Sequence, residues 1–248
     1  MSLNLLEWCP RLILLRNDDE QFKYSYGATG TTVRCNDKIY IITATHTLTD
    51  ERRAGRLIEP IIETPHGCMS LSINKYASIL SYKDRDHALC DITAYEVGKD
   101  AKQFVNQNLF PDILIDGDPL TGLTNQSRML VTGYPSDGPE QQLSFDPPTI
   151  TPVLYNFQTV YDGPSDMLHM SRVRLLSNRV SMGANHFDLN FPNQLNGMCG
   201  SPVFSLRSEG PRLAGIVTMA GRNHIQFINI VIILTFLRNW QSGRGKRS

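Results

Sequence analysis

The sequence contains no CxxC pair, and its five cysteines (Cys9, Cys35, Cys68, Cys90 and Cys199) are odd in number and widely spaced. That excludes a disulfide-stapled secreted scaffold and favours a reducing compartment. Net charge is also lacking. The 24 Lys and Arg balance the 24 Asp and Glu, so there is no global electrostatic argument for nucleic acid or an anionic membrane. The longest apolar run, Phe227 to Leu237, is interrupted by Asn229 and Thr235. It falls short of the roughly 20 residues that a spanning helix needs. The N-terminus is apolar but broken by Glu7 and Arg11, without the basic start and clean apolar stretch of a signal peptide. No repeat and no low-complexity tract is present. His66-Gly67-Cys68 lacks the second pair of ligands that a zinc site requires. These absences predict a soluble, cytoplasmic protein with no metal, no cofactor, no membrane and no nucleic-acid partner.

What is present is β-rich. A chain of 248 residues, 41% of them hydrophobic, can bury a core without staples, as one large domain or two small ones. Short segments rich in Val, Ile, Thr and Tyr recur between clusters of Gly, Pro, Asn and Asp. They are Gly30–Arg34, Lys38–Thr43, Met69–Ile73, Ile92–Val97, Met129–Gly133, Ile150–Tyr155, His169–Leu175, Pro202–Leu206 and Leu213–Met219. This is the pattern of an all-β sandwich or barrel. Arg11–Leu15 suits strand as well as helix. Helical periodicity is weak until Phe227–Trp240, which can end in a helix. The stretch from Asn106 to Ser127, rich in Pro, Gly, Asp and Asn, reads as a connector. The expected organisation is an N-terminal β unit over 1–110, a connector over 111–127 and a C-terminal β unit over 128–248. The last unit ends in a helix and a basic tail, Gly243 to Ser248.

Three motifs carry chemistry. In Asn196-Gly197-Met198-Cys199-Gly200-Ser201-Pro202, glycines flank a cysteine. A nucleophile in acyl transfer must project from a tight turn, with backbone N–H groups beside it converging on the developing oxyanion. Glycine permits that turn and lets a substrate carbonyl approach. The N–H groups of Gly197 and Cys199 would be the donors. A buried cysteine in a glycine turn ahead of a strand remains the plain structural alternative. In Lys38-Ile39-Tyr40-Ile41-Ile42-Thr43-Ala44-Thr45-His46, a β-branched strand runs into a histidine, which suits a general base or an ion-pair partner for a thiolate. In Asp91-Ile92-Thr93-Ala94-Tyr95-Glu96-Val97, an acid heads an apolar strand, where it can orient an imidazole. A structural imidazole and a surface strand-end Asp are the plain alternatives for these two.

The order His, Asp, nucleophile is that of chymotrypsin, and the surrounding residues resemble trypsin-like peptidases. Gly27-Ala-Thr-Gly30-Thr-Thr-Val is similar to the family's strand before the histidine, and Thr43-Ala44-Thr45-His46 to its Thr-Ala-Ala-His. Met129-Leu-Val-Thr-Gly133-Tyr134-Pro135 resembles the first strand of the second barrel. Gly197-Met-Cys199-Gly200-Ser201-Pro202 resembles Gly-Asp-Ser-Gly-Gly-Pro, and Leu213-Ala-Gly215-Ile216-Val217-Thr218 the substrate-flanking strand after it. The resemblance implies a chymotrypsin-like double antiparallel β-barrel. It implies an endopeptidase with Cys199 as nucleophile, His46 as base, Asp91 as orienting acid and Gly197 and Cys199 as oxyanion hole. Its substrate would be a protein or peptide, bound along Thr218, Met219 and Ala220, with Asn193 at the base of the primary pocket and Asn196 also binding substrate.

The chain also departs from the family. Its nucleophile is cysteine, as in picornavirus-type cysteine proteases, which are excised from polyproteins, whereas this chain begins with its own Met. Met198 stands where pancreatic members carry the Asp that pairs with a freshly cleaved N-terminus. Zymogen activation of that kind is not expected, and control by an activating protein partner is. Asp86-His87-Ala88-Leu89 also fits an Asp-x-Ala-Leu pattern, so Asp86 stays open beside the favoured Asp91. Asn193 is neutral and no histidine falls at Val217 or Thr218. The expected residue before the cut is therefore small or neutral polar, neither basic nor Gln. The rival expectation is a pseudoprotease, the same fold serving as a protein-binding module.

Overall fold

Segments of apolar residues at period two, broken by turn residues, become antiparallel strands. The computed structural model describes residues 10–16, 24–48, 58–64, 67–79, 91–98, 117–135, 142–145, 148–151, 154–167, 169–182, 185–187, 195–221 and 223–243. The first strands are β1 (Pro10–Arg16), β2 (Tyr24–Cys35), β3 (Lys38–Ala44), β4 (Ile58–Thr64), β5 (Gly67–Ser70), β6 (Ile73–Ile79) and β7 (Ile92–Val97). They form one antiparallel sheet in the order β5-β4-β1-β2-β3-β7-β6. Next come β8 (Arg128–Gly133), β9 (Gln142–Phe145), β10 (Pro148–Thr151), β11 (Tyr155–Pro164), β12 (Met170–Met182), β13 (Asn185–Phe187), β14 (Pro202–Arg207), β15 (Gly210–Ala220) and β16 (His224–Asn229). The order β11-β8-β14-β15-β16-β12 closes into a barrel through β11–β12 pairing, and β13 hangs on β12. Strands β9 and β10 make a separate hairpin. The chain ends in helix α1 (Ile230–Gln241). This is the expected double antiparallel β-barrel with a C-terminal helix. Among the described residues, no helix is long and apolar enough to cross a membrane.

Three cores hold the molecule. Ile13, Ala28, Ile39, Ile41, Tyr95 and Val97 fill the first barrel. Val131, Tyr155, Phe157, Val173, Met198, Val203 and Phe227 fill the second. A third cluster lies between the barrels, joining Val33, Tyr40, Ile42, Ile92 and Ala94 to Met170, Ile216, Ile228 and α1. The sequence of β3 follows from this arrangement. Ile39 and Ile41 face the first core while Tyr40 and Ile42 face the seam, so the strand reads as an unbroken apolar run rather than an alternation. Helix α1 presents Ile230, Ile233, Leu234 and Leu237 to the same seam, the i, i+3, i+4, i+7 spacing of one helical face. Its end is pinned to the first barrel. The Gln241 amide donates to the Cys35 carbonyl at 3.0 Å and to the Tyr40 hydroxyl at 2.9 Å.

The strand boundaries differ from the sequence expectation in three places. Met69–Ile73 is not one strand. The chain breaks after Ser70, where Leu71 N–H donates to the Pro60 carbonyl at 2.8 Å. Ile150–Tyr155 divides between β10 and β11, which lie in different sheets. Phe227 lies in β16 rather than the helix, because its pairing with Val217 and Ser171 buries it in the second core. In the first part of the chain Arg11–Leu15 is strand.

Strand β11 alternates strictly between buried and half-buried positions, which turns Thr159 inward with Phe157 and Tyr161. Among the described residues the Thr159 hydroxyl has no hydrogen-bond partner. A buried polar group without a partner costs about 1–3 kcal/mol. Thr159→Val keeps the shape and is expected to raise stability by about 1 kcal/mol. Urea unfolding checks this, and a clear loss of stability would show that the hydroxyl is satisfied.

Candidate active site

Sheet register delivers the acid to the histidine. Strands β3 and β7 are antiparallel with Ala44 opposite Ile92, and Thr45 N–H donates to the Asp91 carbonyl at 3.1 Å. His46 follows where the chain leaves β3 and turns helical, a turn that the Thr47 hydroxyl closes on the Ala44 carbonyl at 2.7 Å. One Asp91 oxygen accepts the His46 backbone N–H at 2.8 Å. The other is bound to His46 Nδ1. The acid therefore fixes both backbone and ring, and Nε2 is left to face elsewhere. Asp86 lies outside the described residues.

The loop that carries Cys199 is two linked β-turns. Met198 N–H donates to the Leu195 carbonyl at 3.2 Å, and Ser201 N–H to the Met198 carbonyl at 3.0 Å. Each turn has glycine third, Gly197 at φ 83° and Gly200 at φ 95°. A positive φ at that position defines a type II turn and favours glycine. Gly200 is doubly constrained, because a Cβ there would collide with the Thr29 carbonyl and the Thr43 hydroxyl of the first barrel. Cys199 stands second in the later turn, half-buried, between the two glycines.

Accounting for the loop's N–H groups leaves two. Met198 and Ser201 close the turns, and Gly200 N–H donates to the Val217 carbonyl at 2.7 Å. Gly197 and Cys199 N–H have no acceptor among the described residues, and these are the pair expected to hold an oxyanion. The Cys199 thiol donates to the Thr218 carbonyl at 3.3 Å. Strand β15 makes this contact available by a bulge, since its pairing with β16 jumps between Val217 and Met219 and frees Thr218 from the ladder. Thr218 is fully buried, whereas Met219 is exposed beside it and Ala220 is half-buried. Asn196 is exposed in the first turn. Asn193 lies outside the described residues.

The two halves meet electrostatically. Hydrogen bonding to Asp91, and then to Cys199, pushes the His46 imidazole up from 6.5 to about 10, against the opposing effect of partial burial. His46 is therefore an imidazolium at neutral pH, with a carboxylate on one side and the thiol on the other. Cys35, the other described free cysteine, contrasts with this. It is buried, and burial pushes its thiol up, away from reactivity.

Residues not singled out from the sequence also build the site. The Gly197 carbonyl accepts from Thr29 N–H at 3.1 Å and from the Thr29 hydroxyl at 2.8 Å. The Tyr26 hydroxyl sits between the Gly197 carbonyl, at 3.1 Å, and that of Tyr134. The Gly200 carbonyl accepts from the Thr31 hydroxyl at 2.6 Å. The available signal was a pair of threonines two apart in a buried strand. A scan against protein-family models matches none, and a search of curated proteins finds no match.

The raised His46 pKa makes stability depend on pH. The charged imidazole gains from its partners only when folded. That contribution is complete below about 6.5 and is lost as pH rises through about 10. The urea midpoint of His46→Ala should lie below that of wild type at pH 6 to 7. The gap should close as pH passes 10, and a gap that is constant with pH would contradict the shift.

Proposed function

We propose that this protein is a cysteine endopeptidase of chymotrypsin-like fold, acting through Cys199, His46 and Asp91. The observation that carries the reading is the His46 imidazole, held by Asp91 at Nδ1 and pushed up in pKa first by Asp91 and then by Cys199. The loop's two N–H groups without acceptors, at Gly197 and Cys199, support it further.

The Cys199 sulfur attacks the scissile carbonyl carbon as a thiolate while the carbonyl π pair moves to oxygen. Gly197 and Cys199 N–H groups bind that oxyanion. When the tetrahedral species collapses, the C–N bond breaks and His46 gives its proton to the leaving amine. The acyl-thioester is then attacked by water. The neutral imidazole takes the water's proton, and collapse releases the carboxylic acid and the thiolate. Asp91 keeps Nδ1–H in place, so that Nε2 faces the reacting atoms through both stages.

The substrate is a protein or peptide laid along β15 in extended form, where Thr218, freed from the ladder by the bulge, offers its backbone. The enzyme is soluble and cytoplasmic and works without a cofactor.

Incubating the full chain with a diverse pool of unstructured peptides, and reading new termini by mass spectrometry, tests the reading. Wild type is expected to cut at a restricted set of sites. Cys199→Ala should leave no cleavage, and Asp91→Asn should slow it by about tenfold or more. Absence of cleavage by wild type, with its His46–Cys199 pair intact, would favour the pseudoprotease reading.

A further inference from the structure

The nucleophile and its histidine come from different barrels, so some contact across the seam must set their separation. We propose that Thr31 and Thr29 are the positioning residues that do this: their hydroxyls, in the barrel that carries His46, hold the carbonyls of Gly200 and Gly197 and so fix where Cys199 stands. The inference rests on the peptidase reading above.

Thr29 and Thr31 lie two apart on β2, so their side chains share one face of the strand. Both are completely buried. A buried hydroxyl is unfavourable unless it is bonded, and each of these is. Thr31 donates to the Gly200 carbonyl at 2.6 Å. Thr29 donates to the Gly197 carbonyl at 2.8 Å and accepts Tyr134 N–H at 3.0 Å, so it grips the second barrel twice. Its own carbonyl is held by the Thr43 hydroxyl at 2.8 Å, and Thr43 lies three residues before His46 on β3. A hydrogen-bonded path therefore runs from the histidine's strand through Thr43 and Thr29 to the loop.

The carbonyls chosen are those of the two glycines on either side of Cys199. Both have positive φ and no side chain of their own to anchor them. The Gly197 carbonyl also accepts the Thr29 N–H and the Tyr26 hydroxyl, each at 3.1 Å, while the loop's remaining attachments are to its own barrel. Met198 is fully buried in the second core, and Gly200 N–H is tied to Val217 on β15. Those attachments keep the loop folded but do not locate it against His46. Valine would fill the space of either threonine and keep the strand, yet it would remove the hydroxyl's hold on the loop.

The test uses the full chain and the rate at which iodoacetamide alkylates Cys199 at pH 7, followed by intact mass, with the pH profile of that rate. Thr31→Val and Thr29→Val are compared with Thr31→Ser and Thr29→Ser, with His46→Ala and with Thr159→Val, which substitutes a buried threonine whose hydroxyl makes no hydrogen bond to the loop. Each valine is expected to slow labelling about fivefold or more, the factor that one hydrogen bond carries, and to move the pH profile toward that of His46→Ala. Each serine should restore the wild-type rate and profile, and Thr159→Val should leave both unchanged. Should a valine variant fail to fold, Thr31→Ala and Thr29→Ala remove the same hydroxyls without pressing a methyl group on the carbonyl. Wild-type rate and profile in the folded variants lacking the hydroxyl would overturn the inference while leaving the peptidase reading standing. Wild-type labelling that His46→Ala does not change would overturn both.

Discussion

At Gly200 the backbone of the second barrel comes so close to the Thr29 carbonyl and the Thr43 hydroxyl of the first that a methyl group would not fit between them. The site depends on this approach. It brings the loop that carries Cys199 within reach of β2, where the Thr31 and Thr29 hydroxyls meet the loop's carbonyls. It also leaves the Cys199 side chain at the seam rather than inside either core. Glycine is needed there for two reasons at once, the left-handed φ and the missing Cβ, which explains the glycine at the head of the buried run 200–205.

A seam that carries reacting groups must be stiff. Part of the stiffness is apolar, since Tyr40 and Ile42 from β3 pack with Ile216, Ile228 and α1 into one cluster. Part is polar. Gln241 at the end of α1 reaches the Cys35 carbonyl and the Tyr40 hydroxyl, so the last helix straps the second barrel to the first. Within the first barrel the Asp91–His46 pair is positioned by β3–β7 register. The charge follows from the geometry. A carboxylate fixed on Nδ1 and a thiol as the other partner hold His46 protonated through neutral pH, while Cys35, enclosed by the seam, is held protonated by burial.

Much of this was legible in the sequence because it is local. Glycines around Cys199, β-branched residues running into His46 and an acid heading an apolar strand are short-range patterns, and the structure sets Asp91 against His46. The all-β class was legible from the spacing of the strands, and the double barrel from the resemblance to trypsin-like peptidases. What was not legible depends on pairing between distant segments. The break at Leu71 follows from a bond to Pro60, and the assignment of Phe227 to strand follows from partners on β12 and β15. Thr29 and Thr31 read only as good strand residues, since the carbonyls that they hold lie far along the chain. The sequence favoured Asp91 and left Asp86 open, and among the described residues Asp91 is the acid in contact with His46.

The account turns on an imidazole in one barrel sensing a thiol in the other, and an NMR titration of the His46 ring observes this directly. In wild type the ring is expected to titrate at about 10, and in Cys199→Ala at a clearly lower pH, because the hydrogen bond to the thiol is lost while that to Asp91 remains. A ring that titrates identically in the two proteins would mean that His46 and Cys199 are not coupled, and the proposed reaction would have no base.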